Sequence, residues 1–164
     1  MLLILNYLAG GVAESTLEIA KCLRREGYVV TVGCLLGWDQ LAYKFEEADI
    51  PLLYINGAKP TQTLAALRRV LQLERYDVVH TQAPYAGIVG RVASRLAGVP
   101  IVISSQRLSE NAYSVPTRVV DQFTFLLADR IICVSEGVKE SLPLARFMLS
   151  ERLLSSTTGL TLNM

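Results

Sequence analysis

Residues 2–27 read LLILNYLAGGVAESTLEIAKCLRREG. The first seven are almost continuously apolar, the length and character of a strand buried on both faces. Over residues 14–26 the pattern becomes helical. Leu17, Ala20, Cys22 and Leu23 share a broad apolar face, Glu18, Lys21 and Arg25 turn to water, and Gly27 ends the run. Between strand and helix stand Gly10 and Gly11. Such a turn aims backbone N–H groups of the helix start beyond the strand, and glycine lets a phosphate approach them closely. The plainer alternative is a tight turn that needs glycine sterically and binds nothing. The dipeptide alone leaves both readings open.

The same alternation continues outward. YVVTVGCLL (28–36) predicts a second strand, residues 38–48 a short helix, LLYI (52–55) a third strand and residues 59–76 a helix carrying Leu64, Leu67, Leu71 and Leu73. DVVHT (77–81), PIVISS (100–105) and RIICVS (130–135) predict strands four to six, with helices over 85–97 and 118–128. Short apolar strands separated by helix-length crossovers imply a parallel sheet covered on both faces. The fold class is therefore α/β, a Rossmann-like doubly wound parallel sheet in one domain.

The totals agree. A chain of 164 residues, 51% hydrophobic and 19% charged, has room for one real core. A net charge of +1 gives no sign of a nucleic-acid partner. Three irregularly spaced cysteines, Cys22, Cys34 and Cys133, without a C-x-x-C pair, predict buried thiols in a reducing compartment. The longest apolar stretch, YVVTVGCLLGW, is too short to span a bilayer, and no basic leader precedes the first strand. These features predict a soluble cytoplasmic protein.

The dinucleotide fingerprint G-x-G-x-x-G is missing, because no third glycine follows Gly10 and Gly11 in the next turn, and no Walker sequence occurs. That disfavours a nicotinamide-dependent oxidoreductase. The string GGVAESTLEIAKCLRREGYVVTV (10–32), followed by ERYDVVHTQAPYAGIVGRVASRLAGVPIVIS (74–104) and ADRIICVSEGVKESL (128–142), resembles the N-terminal domain of family-4 retaining glycosyltransferases of the GT-B architecture. The likeness covers nearly all of residues 1–142. It implies the acceptor-side half of a hexosyltransferase-type enzyme that moves sugar from a nucleotide sugar to a glycan, a lipid-linked or a small-molecule acceptor, as in polysaccharide biosynthesis. It also implies that the nucleotide sugar is a substrate, that no metal or other cofactor takes part, and that Gly10 and Gly11 face the donor phosphates across an interdomain cleft. The competing reading is a stand-alone Rossmann-like binding or regulatory module that pairs with a separate donor-domain chain.

Several further residues fall at the predicted carboxyl rim. His80, the one histidine, ends strand four and resembles the family's histidine there, a hydrogen-bonding group near the acceptor; the alternative is an imidazole satisfied by neighbouring backbone. Gln82 stands where many relatives carry a second polar residue. After strand five, ISSQRL (103–108) puts Gln106 where relatives often place a histidine, and a glutamine can orient a hydroxyl but cannot act as a base. Arg107 has the paired donors to hold an acceptor phosphate or carboxylate, against the simpler reading of a solvated surface arginine. Ser135, with Glu136 beside it, reads as a helix cap. Arg68 and Arg69 offer peripheral contact with an anionic membrane face, but Glu74 and Asp77 dilute the charge and favour a solvated helix face.

After SEGVKESL the chain reads PLARFMLSERLLSSTTGLTLNM (143–164), where relatives carry a segment like VIYNGID leading into a donor-binding domain. A choice of codons for residues 154–163 yields VIYNGIDFE when the frame moves by one base. This predicts a slipped frame near Pro143, an irregular mobile tail without a partner in the sheet, and a missing C-terminal domain. With the donor clamp absent, the 164-residue chain is expected to be inactive alone.

Overall fold

The computed structural model describes residues 1–37, 39–55, 57–82, 84–107, 114–142 and 150–155. Seven strands form one wholly parallel sheet: β1 (Leu2–Leu5), β2 (Thr31–Cys34), β3 (Leu52–Tyr54), β4 (Val78–Gln82), β5 (Ile101–Gln106), β6 (Arg130–Cys133) and β7 (Leu153–Ser155). Their order is β3-β2-β1-β4-β5-β6-β7. The chain winds outward from β1 in one direction, then returns to β4 and winds outward in the other. The order reverses between β1 and β4, and the carboxyl ends of those strands form the crevice where such sheets hold ligands.

Helices cover both faces. α1 (Gly10–Arg25) and α2 (Ala42–Glu47) pack on one face, where Leu3, Leu5, Ala13, Leu17, Ala20 and Phe45 share a core. α3 (Pro60–Glu74) and α4 (Pro84–Ala97) cover the other, against Leu2, Ile4, Val79 and Val102. α5 (Val115–Thr124), extended by a 3-10 turn over Phe125–Leu127, leans on α4. α6 (Glu136–Glu140) closes a smaller core built from Phe125, Ile131, Cys133, Val138 and Leu153. Alternate residues of each strand serve opposite cores, which is why these strands read as unbroken apolar runs.

Four expectations change. α1 starts at Gly10, so the two glycines belong to its first turn instead of preceding it. Cys22 is exposed while Cys34 and Cys133 are buried; the buried α1 positions Ala13, Leu17 and Ala20 follow the helical period, and Cys22 lies about 200° around from Ala20. α5 begins at Val115, with Pro116 in the first turn where its missing N–H costs nothing. The tail also acquires a partner, because Leu153–Ser155 pairs with Ile131–Cys133 as a seventh strand. Parallel pairing uses backbone groups alone, so three residues of almost any composition can extend an open edge. Residues 143–149 and 156–164, with the site of the expected frame slip, lie outside the described residues. Ser135 does cap α6, its Oγ accepting from the Val138 amide at 3.3 Å.

α4 lies unusually close to the sheet at Gly90. A Cβ there would stand 2.4 Å from the Thr81 Cγ2 methyl of β4. Gly90→Ala is expected to cost about 1–3 kcal/mol by overpacking. Thr81→Ser removes that methyl and should recover most of the loss in the double variant, measured by urea denaturation. Simple additivity of the two changes would show that the contact is relaxed some other way.

Candidate functional site

The crevice between β1 and β4 opens into a cavity of about 800 Å³. Asn6 and Tyr7 enter it from the end of β1, and Ala9, Gly10, Gly11 and Val12 from the start of α1. The N-termini of three other helices complete the wall: Pro60 of α3, Pro84, Tyr85 and Ile88 of α4, and Pro116, Thr117 and Val120 of α5. Asn6 fixes part of this geometry, because its Oδ1 accepts a 2.8 Å hydrogen bond from the Ala86 amide at the start of α4. The described wall contains no charged side chain and is dominated by aliphatic, proline and aromatic surface.

The glycine turn is open. A Cβ at Gly10 or Gly11 would meet nothing within 4 Å, so neither glycine is there to avoid a clash with the protein. Gly10 does need its conformational freedom, with φ at +67°. Ala9 at the N-cap gives the helix start no side-chain cap, which leaves the first-turn amides to backbone or solvent partners.

The other rim residues form a second, polar group. His80, Gln82, Gln106 and Arg107 are not among the described lining residues of the cavity. His80 and Gln82 face the α1 side of the sheet, since His80 pairs in register with Leu3. His80 is 5% exposed, and its Nε2 lies 2.7 Å from Ser105 Oγ. Burial, with a smaller contribution from the Arg107 charge, lowers its pKa to about 4, so the imidazole is neutral near pH 7. Arg107 is half-buried and donates from both Nε and Nη2 to Gln82 Oε1, at 2.8 and 2.6 Å. Burial pushes its guanidinium below the ordinary value, yet arginine keeps its charge. The Gln82 amide is thereby oriented, and its Nε2 is buried without a hydrogen-bond partner among the described residues. Gln106 is buried on the opposite, α4-facing side of β5 from Arg107. The rim residues expected to work together thus divide into an apolar cavity beside the glycine turn and a buried polar cluster at the ends of β4 and β5.

Sequence reading missed the group that holds the cavity's far wall. Arg91 of α4 is 1% exposed. Its Nη2 donates to Asp121 Oδ1 of α5 and, at 2.7 Å, to Thr124 Oγ1, while its Nη1 donates to Ser104 Oγ at 2.7 Å. The Phe125 ring centroid lies 4.3 Å from the guanidinium carbon. Burial raises the Asp121 carboxyl pKa against the opposing pull of Arg91. This pair seats α5, and with it Pro116, Thr117 and Val120, against α4. The available signal was an arginine among small residues, Gly87, Gly90 and Ser94, on the face of α4 turned to the sheet. Among the described residues, no group of three or more His, Cys, Asp or Glu side chains comes together as a metal site, and no helix is long and apolar enough to cross a membrane.

Known proteins share the sequence and the fold of this chain. The model of Glycosyltransferase Family 4 matches residues 9–146. The chain is 32% identical over 144 residues to the UDP-Gal:alpha-D-GlcNAc-diphosphoundecaprenol alpha-1,3-galactosyltransferase of Escherichia coli, covering 81% of this chain and 37% of that protein. Among solved structures, Anabaena Alr3699/HepE in complex with UDP-glucose superposes with a TM-score of 0.80 at 18% identity, over 94% of this chain and 42% of that one. The UDP-GlcNAc 2-epimerase of Methanocaldococcus jannaschii superposes at 0.69 with 16% identity, over 94% and 45%. At such identities these two structures speak for the fold alone. The chain spans about 37–46% of the length of the relatives it matches. With the family model covering most of its residues, this chain belongs to glycosyltransferase family 4.

Proposed function

We propose that this chain is the acceptor-side half of a glycosyltransferase that moves a sugar from a nucleotide-sugar donor to a lipid-borne glycan acceptor. The observation that carries the reading is the open glycine turn at the switch point, beside a cavity walled mostly by apolar side chains. The 32% identity to a galactosyltransferase whose printed acceptor is a diphosphoundecaprenol glycan supports the choice of acceptor. In this reading the Gly10–Gly11 amides meet the donor's leaving phosphate, and the cavity takes the apolar part of the acceptor. The Arg107–Gln82 pair holds an anionic or hydroxyl group of the acceptor, and neutral His80 fixes Ser105 beneath them.

The chain does not complete the transfer by itself. The described cavity wall offers no cation to a leaving diphosphate, and transfer needs donor and acceptor held together in a closed, water-poor cleft. We expect the purified 164-residue chain to bind a GlcNAc-diphosphate-lipid analogue without releasing UDP from UDP-galactose. Gly11→Leu should fill the cavity mouth and weaken that binding about tenfold or more, the scale of 1.4 kcal/mol. Its melting temperature should stay close to that of the parent, because a Cβ at residue 11 meets nothing. Binding followed by the amide resonances of residues 9–12 tests this. An analogue that binds while leaving those amides unmoved would defeat the site assignment, and UDP release by the chain alone would defeat the half-enzyme reading.

A further inference from the structure

Asn6, at the carboxyl end of β1, is held from two sides. Its backbone carbonyl accepts the Leu36 amide at 2.8 Å, which ties it to the chain leaving β2. Its Oδ1 accepts the Ala86 amide, also at 2.8 Å, and that amide belongs to the first turn of α4. A backbone N–H only donates, so this contact decides how the side-chain amide lies. The oxygen faces α4 and the NH2 group is turned from it. Asn6 is half-buried and lines the cavity, and its Nδ2 makes no hydrogen bond among the described residues.

No other side chain in the described wall offers an N–H group. The Tyr85 hydroxyl donates to Thr63 Oγ1 at 3.4 Å, and Thr117 Oγ1 lies 2.9 Å from Ser114 Oγ, so both hydroxyls already have partners. Gly10 and Gly11, which line the same cavity, begin a helix whose N-cap supplies no side-chain bond. The N–H donors of an otherwise apolar cavity thus gather at one end, where β1 stops and α1 begins. Two N–H bonds on a fixed Nδ2, beside open backbone amides, suit an oxygen that carries negative charge.

We propose that Asn6 is a phosphate-binding residue: its Nδ2 donates to an oxygen of the diphosphate that meets the Gly10–Gly11 turn. The Ala86 amide sets the orientation beforehand, so little ordering is left to be done when the ligand arrives. The same contact makes the site selective. A carboxylate at position 6 would accept from Ala86 equally well but would turn oxygen toward oxygen. This rests on the reading in which a nucleotide diphosphate reaches the glycine turn. The lipid-analogue test of the acceptor uses no nucleotide, so the two can fail separately.

The full 164-residue chain, isotopically labelled, is titrated with UDP and separately with uridine, and followed by its amide resonances. The Asn6 side-chain NH2 pair and the amides of residues 9–12 should move with UDP and stay in place with uridine, which has no phosphate. Asn6→Asp keeps an oxygen for Ala86, and a carboxylate suits the start of a helix, so its melting temperature should match or exceed the parent's. Its affinity for UDP should fall about tenfold or more. A residue that only caps α4 predicts the reverse, an NH2 pair that UDP leaves unmoved and an Asn6→Asp chain that binds UDP as the parent does. Either result would overturn the proposal, and continued movement of residues 9–12 would then leave the glycine turn standing. Should Asn6→Asp fold poorly, the NH2 pair of the parent decides the matter. A parent chain in which neither the pair nor residues 9–12 respond to UDP would overturn it as well.

Discussion

Replacing Arg91 with alanine is expected to lower the melting temperature by about 10 °C, the largest loss from any single substitution in α4. The guanidinium is fully enclosed and meets Asp121, Ser104, Thr124 and the Phe125 ring. Removing it leaves Asp121 either charged without a partner or protonated in a site built for an anion, a cost of about 3–5 kcal/mol. In a domain of this size each kcal/mol moves the transition by about 2–4 °C. The pair is nevertheless a poor source of net stability. Burial raises the Asp121 pKa despite the adjacent cation, and both Arg91 Nε and Asp121 Oδ2 are without hydrogen-bond partners among the described residues. Arg91→Met/Asp121→Leu should therefore lose far less than Arg91→Ala, since an apolar pair of similar volume avoids both desolvation penalties. Ser104 Oγ still receives Thr81 Oγ1 at 3.1 Å and Thr124 Oγ1 still reaches the Asp121 carbonyl, so neither is orphaned. A double variant as unstable as the single would show that the ion pair stabilises the fold outright. The pair joins α4 to α5 in the arrangement that places Val120 in the cavity wall.

That pair also shows where sequence reading stops. The strand–glycine–helix unit of residues 2–27 is legible because its signals are local: an unbroken apolar run, two glycines, then a period of 3.6. The same holds for α3 and β4, where a leucine repeat and DVVHT announce themselves within a few residues. The cavity has no such signature. Its wall joins Asn6, Pro60, Pro84 and Pro116, four residues from four separate helix or strand ends, and the β1–β4 reversal together with the Arg91–Asp121 contact between α4 and α5 brings them together.

Charge is ambiguous for the same reason. Arg91 and Arg95 stand four apart on one helix, and the ordinary expectation places both in water. The structure buries the first and leaves the second partly exposed beside Asp129. β7 is illegible for a different cause. Leu153–Ser155 is too short for a periodic pattern to be read from the sequence, and it finds its place by pairing with the edge of β6 and burying Leu153 in the smaller core. The polar cluster falls between these cases. His80, Gln82 and Arg107 are readable as rim residues from strand ends, but the Ser105 contact of His80 needs the β4–β5 register that sets these side chains on one face.

His80 carries the second large effect, and it appears on acidification. A folded-state pKa of about 4 against an unfolded value near 6.5 means the unfolded chain binds the proton first. The stabilising difference is fully present above pH 6.5, erodes as pH falls through that value, and is exhausted below about 4. Its total is about 3 kcal/mol, of which about 2 kcal/mol is lost between pH 7 and 5, before most carboxylates titrate. Urea midpoints measured at pH 7, 6 and 5 should fall accordingly in the parent chain and much less in His80→Gln, whose side chain takes up no proton. The imidazole can be followed directly, because the sequence holds one histidine and so one set of ring resonances. Those shifts should stay flat from pH 7.5 to 5. A midpoint near 6.5 would mean that the ring reaches water, and a pH slope unchanged in His80→Gln would assign the acid sensitivity to other groups. The outcome also bears on the rim chemistry. A ring that remains neutral down to pH 5 can hold Ser105 by a hydrogen bond, but it contributes no positive charge beside Arg107 to an incoming anion.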